Sequence, residues 1–549
     1  MASTNRRTDG LHERFIRTHT GTSSRTCRQT MPATVDGQPT MTFESVLFRG
    51  GEQVPDGVSA PDHFADFNLN KVVDALTARR ESYDLTPLVF MPLHDAYEVG
   101  YRQAVCRDLE SVEVRTAVDQ FATEMSTVRQ RCAHALQLRH RYHRYRWYRE
   151  AIRVYVEAIK KLQDDLERVD LHSEAMTSLL EYLDAYTRSA AFTTLTEEGD
   201  AIDEELAAIR YTVQIVGSRV TVRRYEGGDD YRKDVEETFS RFKQEDAKDR
   251  LIAYPEYADL NHVEAQVLEL VAALFPRIFG RLSEYCVNSQ AFIDPRVQRF
   301  DREVQVFLAW LDFIAPMRAA GLEFCYPDVS TGSKRANAAD SFDVALAAKL
   351  VREGGTVVTN GFALEGKERI LVVTGPNQGG KTTFARMFGQ LHYLAALGFP
   401  IPGTTASLPL PDRIFSHFGK EEEIETLRGR LEDELVRVHE MFELASSNSV
   451  FVINEGFSST TLTDAVFLGE EVVRRMIDCD LLGVYVTFVD ELTTMSAATV
   501  SMVATVDPDD PAKRTLRIVR QPADGLAYTA AIVNKYGVSY KQLKQRIAP

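Results

Sequence analysis

No uninterrupted apolar run in the chain approaches the roughly 18–20 residues that a membrane-crossing helix needs, so no segment is expected to span a bilayer. Cysteine is sparse and scattered. The six residues Cys27, Cys106, Cys132, Cys286, Cys325 and Cys479 include no Cys-x-x-Cys pair, which argues against a zinc site or a redox pair. They fit reduced thiols in a cytoplasmic protein. An excess of positive charge is missing too. With 64 basic against 80 acidic residues the net charge is −16, so bulk composition does not announce a nucleic-acid binder, although a local basic patch can act inside an acidic chain. No short-period internal repeat is visible. What is present is an ordinary soluble composition, 44% hydrophobic and 26% charged, in 549 residues. That length exceeds one hydrophobic core, and two to four domains are expected.

Residues 1–40 are rich in Thr, Ser and Arg and lack apolar periodicity. They read as a disordered tail or as an over-extended start ahead of Met31 or Met41; an Arg-rich, acid-poor start also has the composition of a transit peptide. A small N-terminal segment, 41–94, holds an extended piece at Phe43–Phe48 and a helix from Leu69 to Leu76. From 95 to 327 the chain is mostly helical, with apolar residues at three-to-four spacing; Ile152, Tyr155, Val156, Ile159, Leu162 and Leu166 share one stripe. Such length with few Gly or Pro residues suggests extended helices that carry a lever. Within it, Tyr211 to Tyr225 is rich in β-branched residues around Gly217-Ser218 and reads as a β-hairpin, a tip on a stalk. The polar, small-residue stretch 328–342 reads as a linker. Beyond it, in 343–549, short apolar strands at Ile370–Thr374, Val450–Ile453 and Val484–Phe488 alternate with helices, an α/β pattern.

The chemistry concentrates in Gly375-Pro376-Asn377-Gln378-Gly379-Gly380-Lys381-Thr382-Thr383, which meets the pattern G-x-x-x-x-G-K-[ST]. An apolar strand precedes it and a helix follows. In that setting glycines let backbone N–H groups curl around phosphate oxygens, and the helix N-terminus adds partial positive charge. Lys381 is expected to reach the β- and γ-phosphates of ATP and the Thr382 hydroxyl to ligate Mg²⁺. A second element, Ser449-Val-Phe-Val-Ile-Asn454-Glu455, delivers Asn454 and Glu455 to the C-terminal end of a strand, where α/β sheets build sites. Glu455 is the candidate general base for an attacking water, and a surface or capping glutamate is the plainer alternative.

These residues resemble the MutS family of DNA mismatch-repair ATPases, whose nucleotide domain is of the ABC ATPase class. The family loop T-G-P-N-x-G-G-K-[ST]-[ST] is similar to Thr374–Thr383 here, and Pro376-Asn377 is far more specific than the generic pattern. The resemblance continues at Asp412–Gly419, at Val452–Glu455 with Thr460 and Asp464 beyond, and at Val486–Leu492; it covers essentially 343–549. Upstream, Tyr101-Arg-Gln-Ala-Val-Cys-Arg-Asp-Leu109 is similar to the opening of the family's core and lever helices. The hairpin then stands where the family has a clamp, much reduced. There is no room for the N-terminal mismatch-reading and connector domains, and no Phe-x-Glu wedge near the start, so a short MutS-related branch is expected.

What the resemblance implies is a multidomain protein: an α-helical lever and clamp region followed by an α/β ABC-type P-loop ATPase domain. It implies a homodimer that closes on ATP and clamps mismatched or branched double-stranded DNA. Three departures fall within the ATP site. Asn454 replaces the family's Asp, Phe488 takes the place of its switch His, and Gly429-Arg430 falls where its in-trans Ser-Thr signature would be. Leu427-Arg-Gly-Arg-Leu431 is similar instead to the Gly-centred signature of other ABC ATPases. Arg428 or Arg430 then reads as an arginine finger across a dimer, or as a surface arginine at a helix start.

For DNA, the densest basic segment is Arg139–Arg149, with Arg144 and Arg146 as candidate contacts; hairpin residues Arg219, Arg223 and Arg224 form a second set. A structural helix whose arginines pair with acids is the competing reading of the first segment. The departures in the site and the acidic charge also support an alternative function, a nucleotide-switched scaffold with weak ATPase activity that binds protein partners. An ABC transporter subunit is a third reading, weakened because the helical arm precedes the loop and no Q-loop pattern is evident.

Overall fold

The computed structural model describes residues 43–51, 58–217, 219–227, 259–419, 429–457, 460–507, 509 and 513–523. The expected tail 1–40 lies outside them, as do Ser218, Arg428 and the side chain of Arg430.

The first part is helical. Short helices α1 (His63–Asp66), α2 (Leu69–Thr77) and α3 (Thr86–Val89) precede α4 (Ala96–Glu110), α5 (Val112–Gln137), α6 (Arg141–Leu166), α7 (Glu174–Thr187) and α8 (Ala190–Ala207). Caps explain several starts. Asp95 accepts from the Tyr97 and Glu98 amides, and Ser111, Ser173 and Ser189 each accept from an amide one turn on. The apolar stripe of α6 is wholly buried, Ile152, Tyr155, Ile159 and Leu166 included, because α5 packs along it. The hairpin follows as β1 (Tyr211–Val216) and β2 (Arg219–Arg224), antiparallel with Val216 opposite Arg219. Helices α9 (His262–Leu274), α10 (Pro276–Asn288) and α11 (Pro295–Ala319) complete this part.

The stretch expected as a linker, 328–342, is instead built into a sheet. Strands β3 (Phe324–Cys325), β4 (Asp328–Ser330) and β5 (Ala336–Ser341) are followed by α12 (Val344–Arg352) and β6 (Asn360–Leu364). Alternate small residues Ala336 and Ala338 point into the core while Asn337 does not, so a period-two pattern is present, written in alanines rather than large apolar residues. Next come β7 (Ile370–Thr374), α13 (Lys381–Ala396), β8 (Ile401–Pro402), β9 (Thr405–Pro409), β10 (Ile414–Phe418), α14 (Arg430–Leu444), β11 (Val450–Asn454), α15 (Leu462–Asp478), β12 (Leu482–Val486), β13 (Thr499–Val506) and β14 (Arg514–Arg520). One sheet has the order β4-β9-β5-β6, and the main sheet β10-β11-β12-β7-β13-β14. All neighbours in the main sheet are parallel except the β13–β14 pair.

Strands β7, β11 and β12 are buried at every residue, as parallel strands covered on both faces must be. Helix α13 is buried along nearly all its length. Residues from the N-terminal segment hold its outer side. Gln390 donates to the Phe67 carbonyl (2.8 Å), Tyr393 to that of Val89 (2.7 Å) and Arg386 to that of Asp66 (2.9 Å). A Cβ at Gly389 would lie 2.4 Å from the Phe67 ring, so glycine is what lets that ring approach the helix. One apolar core runs from Phe43 through Trp310 to Ile518, and the helical and α/β parts share it.

Candidate nucleotide site

The main sheet ends its strands in register. Phe418, Asn454, Val486 and Val373 pair in sequence across β10, β11, β12 and β7, so the residues after them converge on one edge. This convergence is what parallel α/β sheets use to build sites. The loop after β7 leads directly into α13. Gly380 occupies its N-cap in a left-handed conformation at φ 93°. Gly375 has φ 110°, and a Cβ there would lie 2.8 Å from the Ala504 carbonyl oxygen; one at Gly379 would lie 2.9 Å from Ala504 and from the Pro376 carbonyl. Strand β13 therefore presses against the loop, and only glycine fits at both contacts.

Lys381 is buried, and its ammonium donates to the carbonyls of Gly375 (2.9 Å) and Pro376 (3.2 Å) and contacts Asn377 Oδ1 at 3.5 Å. Burial pushes its pKa below the ordinary lysine value; the nearby Glu455 carboxylate acts the other way, and Arg514 adds to the lowering. Asn377 and Gln378 are exposed, while Thr382 and Thr383 are half-buried at the start of α13. Arg514, on the edge strand β14, donates to the Asn377 carbonyl (3.2 Å) and brings a second cation to the loop.

Two strands away, Asn454 ends β11. It is buried, and its Oδ1 has no hydrogen-bond partner among the described residues. An amide oxygen left so is an acceptor in want of a donor or a cation. Glu455 follows with φ 53°, half-buried, its amide donating to the Val486 carbonyl (2.9 Å). Phe457 is left-handed as well (φ 59°), and its amide donates to the buried carboxylate of Glu434 at 2.9 Å. Non-glycine residues in that region cost about 1 kcal/mol or more each, so these contacts over-determine the turn carrying Glu455. Beyond it, Thr460 and Thr461 both donate to Asp464 (3.1 and 2.8 Å), and the Thr461 hydroxyl caps α15. Just past β12 the Thr487 amide donates to the Val373 carbonyl (3.0 Å), and Phe488 is about half exposed at the same edge.

The other predicted residues stand apart from this edge or are engaged elsewhere. Gly429 is the N-cap of α14, with φ −70° and open space around a Cβ, so no steric demand explains a glycine there. In the basic segment, Arg144 donates to the Leu138 carbonyl (3.2 Å), Arg146 pairs with Glu150 (3.1 Å), and Arg149 is buried against Asp200 and Asp203. Arg224 donates to the Leu274 carbonyl (3.2 Å) and lies over the Phe275 ring, whereas Arg219 and Arg223 are exposed. Sequence reasoning missed Arg514 and Glu434. Neither lies in a motif, and only the chain's path brings them to the loop and to the Glu455 turn.

Among the described residues no helix is long and apolar enough to cross a membrane. The family model for MutS domain V matches residues 371–539, which span the glycine loop, Asn454, Glu455 and Phe488. Over 135 residues the chain is 31% identical to an endonuclease MutS2 of Thermus thermophilus, covering 25% of this chain and 18% of the relative. It is 29% identical over 194 residues to a DNA mismatch repair protein MutS of Erythrobacter litoralis, covering 34% and 22%. A MutS of Zymomonas mobilis matches at 31% over 149 residues, 27% of this chain and 17% of the relative. The matched stretch thus spans about a fifth of these relatives' length. What is similar to the MutS family is therefore the stretch 371–539, matched as MutS domain V.

Proposed function

We propose that the chain is an ATPase of the MutS type, in which ATP held between two protomers is coupled to a helical arm that grips DNA, mismatched or branched. The observation that carries this reading is the glycine loop opening directly onto α13, with Lys381 beneath it and Asn454-Glu455 ending a strand on the same edge. Loop amides from Gly375 to Thr383 would cradle the phosphates, with Lys381 and Arg514 offsetting their charge. The Thr382 hydroxyl and the unpartnered Asn454 oxygen would hold Mg²⁺, directly or through water, and the ion when bound neutralises phosphate charge. Glu455 would take the proton of the attacking water. Gly429 and Arg430 would face a partner's nucleotide across the dimer. The helical part would serve as lever and the β1–β2 hairpin as a reduced clamp, with the exposed Arg219 and Arg223 as its cations toward DNA phosphates.

A second reading has its own support. Arg144, Arg146 and Arg149 are spent on partners within the chain, and Arg224 is tethered to α9. This favours a nucleotide-switched scaffold that hydrolyses ATP slowly and binds protein partners. Phosphate release measured with homoduplex, mismatched and branched DNA separates the two. Stimulation by one of these DNAs is expected on the first reading; nucleotide binding without any stimulation supports the second.

A further inference from the structure

The hairpin tip carries a feature that DNA gripping does not use. Strand β1, Tyr-Thr-Val-Gln-Ile-Val, has no charged residue and is exposed throughout, with Ile215 67% and Val216 65% exposed. Folded proteins normally blunt such an edge with charge, proline or a covering element. The neighbouring strand is protected, since α9 packs on β2, with Val222 against the cluster around Val271 and Arg224 bonded to Leu274.

The backbone settles which groups of β1 face β2 and which face away. The Tyr225 amide donates to the Arg210 carbonyl (3.3 Å), and hydrogen-bonded pairs recur every second residue from there. Thr212, Gln214 and Val216 therefore bond to β2 opposite Arg223, Thr221 and Arg219. The amides and carbonyls of Tyr211, Val213 and Ile215 point to the other edge, which pairs with no strand among the described residues.

We infer that β1 pairs edge to edge with β1 of a second copy of this chain, antiparallel about a two-fold axis at Val213. Only that register engages all three outward residues at once, Val213 with its symmetry mate and Tyr211 with Ile215 in each direction. It also sets apolar against apolar on one face and Thr212 against Gln214 on the other, which a one-residue slip would undo. A strand without charge suits its own copy, and the arginines of β2 fall on the outer strands, away from the junction. Two strands alone are marginal in water, whereas the resulting four-stranded sheet is not. The contact is independent of the nucleotide reading.

Cysteine cross-linking tests this. In a hydrogen-bonded antiparallel pair the Cα atoms are about 5.5 Å apart, within the span of a disulfide. Under mild oxidation Val213→Cys is expected to form a covalent dimer at least about tenfold faster than Gln214→Cys, whose side chain lies on the other face opposite Thr212. The parent chain, with Cys479 exposed, gives the background. Adding Ile215→Lys to the Val213→Cys chain should abolish the fast reaction by placing charge on the edge. Equal rates at 213 and 214, no dimer above background, or a rate unmoved by the lysine would each overturn the inference.

Discussion

At the scale of single residues, Asn454 is the position that most alters what the site can do. A neutral amide stands at a buried acceptor where the MutS resemblance implies a carboxylate, and a hydrogen bond to a charged acceptor is stronger by roughly 1 kcal/mol. Asn454→Asp is therefore expected to raise Mg²⁺-dependent turnover about fivefold, read as phosphate release across a magnesium titration. Unchanged turnover would mean that the Asn454 oxygen does not serve the metal. The loop itself was legible because its chemistry is local: glycines, a lysine and a threonine at fixed spacing between a strand and a helix. Glu434 and Arg514 were not legible, since each acts on a backbone group far away in sequence, on Phe457 and Asn377. The interleaved arginines of 139–149 left two readings open, a DNA contact or a structural helix paired with acids. Density alone does not separate them, because the acids that pair with Arg141, Arg146 and Arg149 lie on α9 and α8 as well as on α6 itself.

At the scale of elements, α13 joins the glycine loop to the rest of the fold. Its interior includes His392, fully buried, with Nδ1 donating to the Phe388 carbonyl (2.9 Å) and its pKa pushed down to about 4 by burial. The unfolded chain takes a proton at His392 first, so the stability this neutral ring contributes is present above pH 6.5 and lost as pH falls toward about 4. Against His392→Gln, the parent should lose roughly 3 kcal/mol more stability across that window, measured by urea unfolding at successive pH values. Parallel pH profiles would show that the ring is not held neutral. The helical character of 95–327 followed from apolar three-to-four spacing, whereas the breaks between α4 and α8, capped at Asp95, Ser111, Ser173 and Ser189, were not read from it. Strands β4 and β5 escaped notice because β4 is only Asp-Val-Ser, and β5 buries small Ala336, Ala338 and Ser341 with a register shift between 338 and 341, which leaves little apolar surface and a broken period to mark them.

At the scale of the whole molecule, the helical part and the α/β part are not beads on a string. Residues 58–93 clasp α13, and Trp310 of α11 stacks on Phe399 while donating to the Pro400 carbonyl (3.1 Å). The continuous core predicts that the chain's two tryptophans, Trp147 on the arm and Trp310 at this junction, report one transition. Trp147→Phe and Trp310→Phe chains, each with a single fluorescent reporter, should share one urea midpoint; distinct midpoints would show that the arm unfolds independently. This coupling is also what a nucleotide-driven lever requires, since α13 begins at the glycine loop and ends against the helical part, where the Arg102 guanidinium donates to the Leu397 carbonyl (3.3 Å). The most direct test of the central claim is titration of a fluorescent ATP analogue with Mg²⁺ into the parent chain and into Lys381→Ala. Saturable binding by the parent, weakened at least about tenfold by the substitution, is the predicted result; equal binding by the two chains, or none by either, would contradict it.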